Sequence, residues 1–236
     1  MKRSVRFDII TLFSEAIEPY CGSSILGAAQ IKKIIFIKTH NLRSWGIGAH
    51  KKVDERPYGG GAGMVLMPGP LIRAVGAITK KRASPKKRKI IILSAKGKQW
   101  NQRLAHEWSK KFDEFIFVSG RYEGIDERVA KILGAEEISI GPYVLTDGDV
   151  ASMVIVSSIA RLIPGVIKLK SLAEESHWNL LLKNENNAST IKGGLEYPHY
   201  TRPEVFEYKG VEYRVPNVLL SGDHEKINEW RIKQSR

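Results

Sequence analysis

The residues best placed to do chemistry are three charged side chains set beside loops of small residues. Arg121 and Glu123 lie in Ser119-Gly-Arg-Tyr-Glu-Gly124, and Arg161 lies in Ile159-Ala-Arg-Leu-Ile-Pro-Gly165. An arginine and a glutamate two residues apart make either a surface ion pair or catalytic machinery, and their types alone do not separate the two. Arg161 is more informative: its neighbours Ile155, Val156, Ile159, Leu162 and Ile163 are all apolar, so its guanidinium must find an anion or reach solvent. Other chemistries are poorly served. Gly59-Gly-Gly-Ala-Gly63 has the glycines of a phosphate cradle, but Met64-Val65-Leu66 follows in place of the Gly-Lys-Ser/Thr ending. It reads instead as a flexible loop that lets another backbone or a flat ligand approach. No Gly-x-Gly-x-x-Gly follows the first strand, which argues against a dinucleotide site. His40, His50, His106, His177, His199 and His224 show no i, i+4 pairing, and one cysteine cannot build a zinc site, so no metal ligands are assigned. A Gly-x-Ser-x-Gly nucleophile elbow is also absent.

The elements that must position these residues are legible as apolar runs and helical spacings. Phe7–Phe13, Ile34–Ile37, Ile90–Leu93, Phe115–Val118 and Ile138–Ile140 read as strands. Ser14 opens a short helix, Pro68–Thr79 a helix with proline at its start, and Trp100, Leu104 and Trp108 mark one face of another. Val129, Ile132 and Leu133 recur at helical spacing after Asp126, and Asp149–Ile163 reads as a long apolar helix stopped by Pro164-Gly165. Strands and helices alternate to about residue 165, which predicts an α/β fold: a mainly parallel sheet with helices on both faces. Three strands end in Ser-containing loops, LSAKG, VSGRYEG and SIGPYVL. At one sheet edge these would form a pocket rich in backbone groups.

Composition bounds the partners. Lys and Arg total 38 against 25 acidic residues, a net charge of +13 that favours a polyanion. Lys80–Lys89 carries seven basic residues in ten with Pro85 inside, and is either a nucleic-acid contact or a solvated connection. The single cysteine, Cys21, excludes an intrachain disulfide and suits a reducing compartment. Neither a signal peptide nor a membrane span is readable, so a soluble cytoplasmic protein is expected. After Gly165 the pattern changes. Residues 1–167 are expected to form the α/β domain, 168–192 a connector with the mobile Asn-rich run Lys183–Thr190, and 193–236 a small, mostly helical domain. Its last helix is expected over Asp223–Gln234, with Ile227 and Trp230 inward and Lys226, Arg231 and Lys233 outward.

Five phrases carry a resemblance: Arg56-Pro-Tyr-Gly-Gly-Gly-Ala-Gly-Met64, Gly120-Arg-Tyr-Glu-Gly-Ile-Asp-Glu-Arg128, Ser139-Ile-Gly-Pro-Tyr-Val-Leu145, Pro198-His-Tyr-Thr-Arg-Pro203 and Val218-Leu-Leu-Ser-Gly222. In this order, spread over the whole chain, they resemble the bacterial tRNA (guanine-N1)-methyltransferase family, TrmD. The resemblance implies a SPOUT α/β domain threaded into a trefoil knot, which no periodicity reveals. It implies methyl transfer from S-adenosylmethionine to N1 of the guanosine immediately 3′ of the anticodon of tRNA. A homodimer with the site at the subunit interface is implied too, and a divalent ion by resemblance alone. Ser94, Gly120, Ile140, Gly141, Pro142, Tyr143, Val144 and Leu145 match the positions that hold the methyl donor, and Gly59–Gly63 matches another part of that pocket. Guanine N1 carries a proton, so the reaction needs a base and a cation facing O6. Arg161 matches the arginine given the second task, Glu123 and Arg121 match residues that position guanine or donor, and His199, Tyr200 and Arg202 match the part that grips tRNA.

The departures fall on the chemistry. The general-base Asp of the family is expected ten residues before Pro198, where Ala188 stands, and Glu185, three residues further back, is the expected substitute. Asp147, where Gly is usual, ranks after Glu185 as the base. Pro142 replaces a common Asp, and Ala95-Lys96 replaces Pro-Gln. Ala188 motivates an alternative, a donor- and tRNA-binding protein with weak or no catalysis; a ribose methyltransferase of the same fold is a third reading.

Overall fold

The computed structural model describes residues 3–80, 87–168 and 197–235. Met1–Lys168 forms one compact unit and Leu169–Arg236 a second.

The first unit is built on a five-stranded sheet of β1 (Val5–Thr11), β2 (Ile35–Asn41), β5 (Arg88–Gln99), β6 (Glu114–Val118) and β7 (Glu136–Ser139), in the order β2-β1-β6-β5-β7. Every pairing in it is parallel. Alternation along the strands sorts the core into two layers. Phe115 and Phe117 of β6 join Val5, Phe7 and Ile9 of β1 on one face, under α1 (Ser14–Cys21), α2 (Ser24–Ile31), α4 (Gln102–Lys111) and α6 (Gly148–Ala160). Ile116 and Val118 join Ile10 and Ile92 on the other, under α3 (Pro68–Lys80) and α5 (Arg128–Leu133). Phe7 stacks on Phe115 at 5.3 Å, so aromatic contacts run across the centre of the sheet. A short ladder of β3 (Asp54–Glu55) with β4 (Val65–Leu66) brackets the Gly-rich loop.

Several expectations are corrected. The helix over 149–163 ends at Ala160. Pro164 disfavours helical backbone at Ile163, and Leu162 and Ile163 donate instead to Ile159 O and Ala160 O, three residues back. Arg161 is therefore the C-cap of α6, still with helical backbone (φ −61°, ψ −23°) and donating to Ser157 O at 3.3 Å. Ile132 is 59% exposed, because the six-residue α5 buries Val129 alone in full. The described end of the basic run is not a loop: Arg88 and Lys89 begin β5, Arg88 pairing with Glu114 at 2.8 Å and Lys89 with Glu136. Lys89 also lies over the Trp108 ring at 5.0 Å. Residues 81–86 lie outside the described residues.

The second unit contains a hairpin, β8 (Val205–Tyr208) with β9 (Val211–Arg214), then α7 (Asn217–Leu220) and α8 (His224–Gln234). Helix outweighs strand among its described residues, but the hairpin was not expected. Asp223 caps α8 by accepting from Lys226 N. Arg231, expected outward, lies 4.8 Å over the Tyr197 ring.

Candidate active site

Loops leaving the carboxyl ends of β5, β6 and β7 enclose a cavity of about 490 Å³, within the range of small-ligand sites. The β5 edge opens because its pairing with β7 slips: Leu93 and Lys98 both face Ile138, and Ser94–Gly97 bulge out of the ladder. Gly97 permits this, since a Cβ there would fall 2.5 Å from the Glu137 carbonyl carbon.

The β6 loop is tied on two sides. Gly148 N at the start of α6 donates to Gly120 O at 2.8 Å, and Glu123 N donates to Met64 O at 3.0 Å. Gly63, at φ +79°, leaves room for the Glu123 carboxylate, which a Cβ would meet at 2.5 Å. The Gly-rich loop thus supports Glu123 from behind and is not part of the cavity lining. The β7 loop is braced by its own side chains. Ser139 Oγ donates to Gly141 O at 2.9 Å, and the Tyr143 hydroxyl donates to Ile140 O at 3.2 Å. The Tyr143 ring folds back over Gly141, where a Cβ would fall 2.2 Å from it.

The lining combines apolar and charged residues. Leu93, Ile138, Ile140, Tyr143, Val144 and Leu145 form the first set; Lys96, Arg121, Glu123, Glu127, Glu137 and Asp147 form the second. Lys96 hydrogen-bonds Glu127 at 2.5 Å and lies 3.7 Å from Glu137; the Glu127 bond and then the neighbouring carboxylate charges hold its ammonium above the usual lysine range. Arg121 lies 3.2 Å from Asp147 and 3.0 Å from Asp149, with its guanidinium 4.2 Å over the Phe13 ring. Asp147 also caps α6 by accepting from Asp149 N at 2.9 Å. Arg121 Nε is buried without a hydrogen-bond partner among the described residues, donor capacity that suits a polar ligand group. Asp126, beside the cavity at the start of α5, is held below the usual carboxylate range by its hydrogen bonds from Arg128.

Of the residues singled out in the sequence, Ser94, Gly120, Arg121, Glu123, Ile140, Tyr143, Val144 and Leu145 line this one cavity. Gly141 lies beneath Tyr143, and Pro142 is exposed outside the lining. Arg161 is at the far end of α6, which at 13 residues puts it about 20 Å from Gly148. Glu185 and Ala188 lie outside the described residues. His199, Tyr200 and Arg202 are exposed in the second unit, where His199 stacks on Tyr197 at 4.7 Å and Tyr200 tilts against Trp230 at 6.3 Å. Sequence reasoning missed Glu127 and Glu137, because no local spacing signals their pairing with the exposed Lys96. No group of three or more metal-ligating side chains is present among the described residues.

An open parallel sheet with a cavity at its carboxyl edge defines an α/β protein with a small-ligand site where the strands end. The family described as tRNA (Guanine-1)-methyltransferase TrmD matches residues 5–236, and the chain belongs to that family and carries its SPOUT fold. Curated tRNA (guanine-N(1)-)-methyltransferases are similar over nearly its whole length. That of Desulfitobacterium hafniense is 46% identical over 231 residues, covering 98% of this chain and 80% of the relative. That of Carboxydothermus hydrogenoformans is 47% identical, covering 98% and 83%. That of Ruminiclostridium cellulolyticum is 43% identical, covering 98% and 91%.

Proposed function

We propose that the protein methylates N1 of the guanosine 3′ of the anticodon in tRNA, with S-adenosylmethionine as methyl donor. The observation that carries this reading is the meeting of three loops, Ser94–Gly97, Gly120–Glu123 and Ile140–Leu145, around one cavity. Its apolar residues suit an adenosyl group and its charged residues an amino-acid tail. The donor, when bound, supplies an electrophilic methyl group on a sulfonium. The protein's part is to orient the guanine, take the N1 proton and stabilise charge on O6. We assign orientation to Glu123 and Arg121, O6 stabilisation to Arg161 and proton removal to Glu185. Exposed His199, Tyr200 and Arg202 are assigned to tRNA, where phosphate contacts supply affinity while the pocket chooses the base.

A homodimer supports the assignment of Arg161. Val150 and Val154 are 45% and 42% exposed and, with Ser157, continue along one stripe of α6 to Arg161. Packed antiparallel against a second copy, this stripe would bring Arg161 of one copy to the cavity of the other. Mixed dimers test the arrangement: Arg161→Ala combined with Glu123→Ala regains about a quarter of wild-type transfer at random assortment if the site is shared, and none if each chain supplies both residues to its own site. Transfer itself is tested with tRNA transcripts with and without guanine 3′ of the anticodon. Equal labelling of both would sink the substrate reading. Single-turnover transfer that survives Glu185→Ala would remove Glu185 as the base. Donor binding without any transfer would leave a binding protein.

A further inference from the structure

We propose that Asp147 reads the positive charge on the donor's sulfur, so that the cavity holds the sulfonium donor more tightly than the neutral thioether product. This rests on the reading of the cavity as the donor site. The chain carries a net charge of +13, yet the cavity lining sets the carboxylates of Glu123, Glu127, Glu137 and Asp147 against only Lys96 and Arg121. Both cations are already matched, Lys96 by Glu127 at 2.5 Å and Arg121 by Asp149 at 3.0 Å and Asp147 at 3.2 Å. Asp149 is buried and outside the lining while Asp147 is part of it, so two carboxylates share the one Arg121 charge and the group keeps a net negative charge on the cavity side.

Asp147 is also fixed in place. One carboxylate oxygen accepts from Asp149 N at 2.9 Å, while the other accepts from Thr146 Oγ1 at 3.1 Å and faces Arg121. Its side chain is 13% exposed, so its charge is weakly screened and needs no reorganisation when a ligand enters. The donor carries a sulfonium, an ammonium and a carboxylate. Loss of the methyl group makes the sulfur neutral, while the ammonium and carboxylate remain. A surplus carboxylate in the cavity lining would therefore separate donor from product.

The test is calorimetric binding to the whole chain of three probes: S-adenosylmethionine; sinefungin, in which carbon replaces the sulfur and a protonated amine replaces the methyl group, keeping the charge; and S-adenosylhomocysteine. Asp147→Asn retains an oxygen that can cap α6 and removes only the charge. It is expected to lose about tenfold in affinity for the two charged probes, with S-adenosylhomocysteine within about twofold. Asp147→Glu is expected to recover much of the loss, and a melting temperature matched to wild type shows that the fold is intact. Equal loss for all three probes, or none for the charged pair, overturns the assignment. Failure of wild type to bind any of them overturns the donor-site reading itself.

Discussion

Replacing Gly148 by alanine tests how tightly the cavity floor is built. Gly148 is the first residue of α6, with its backbone against the β6 loop. A Cβ there would lie 2.8 Å from Gly120 N, 3.0 Å from Ser119 Cα and 3.0 Å from Leu93 Cβ. Two of those atoms are backbone, so α6 or the loop must shift, straining the 2.8 Å bond from Gly148 N to Gly120 O. Overpacking costs about 1–3 kcal/mol, and a weakened buried hydrogen bond adds about 1 kcal/mol. Against this stands a helix-propensity gain of at most about 1 kcal/mol, little of it realised at a first helical residue. The net expectation is a loss of about 1–3 kcal/mol, read by scanning calorimetry as a melting temperature lower by about 3–10 °C for a unit of this size. Gly76→Ala is the control of opposite sign. Gly76 lies inside α3 with nothing within 4 Å of a built Cβ, so alanine should stabilise by about 0.5–1 kcal/mol. A Gly148→Ala protein as stable as wild type, or one that gains as much as Gly76→Ala, would refute the close approach.

Burial pushes the Cys21 thiol up to about 11 from its ordinary value of 9.0. The folded protein thus keeps its proton where the unfolded chain loses it, so the stability this site contributes is present below about pH 9 and lost as pH rises to about 11. Urea unfolding should show a steeper alkaline loss for wild type than for Cys21→Ala, and native Cys21 should resist alkylation at neutral pH. Asn101 caps α4 by accepting from Leu104 N at 3.0 Å; Asn101→Ala should cost about 1 kcal/mol in the same unfolding assay. Arg161→Ala should lower single-turnover transfer by about 10²–10³ while leaving donor affinity within about twofold of wild type, and an equal loss in donor binding would assign the side chain to the cavity instead.

How much of this was readable from the sequence depends on whether a feature is local. The strand Glu114–Val118 is a short run of residues buried on both faces, so Phe115-Ile116-Phe117-Val118 announced a central strand without any partner in view. Helix α2 was missed because Gly27 and the alanines blur its apolar period; Gly27 is needed there, since a Cβ would fall 2.2 Å from Gly22 O. The hairpin β8–β9 hides for the opposite reason. Seven of its eight residues are exposed, so no buried alternation marks it. Its signal is the turn, with Lys209 at φ 52° and Gly210 at φ 76°, the backbone of a two-residue hairpin loop. In the site, the motif residues that line the cavity were legible because each loop carries its own small residues. The ion pairs were not. Lys96 meets Glu127 across 31 residues and Arg121 meets Asp149 across 28, and neither spacing follows from a helix or strand repeat. Those pairings decide the sign of the charge offered to a ligand. A chain with a net charge of +13 thus lines its cavity with more carboxylates than cations, and the charge a ligand meets there is set by these long-range pairings and not by composition.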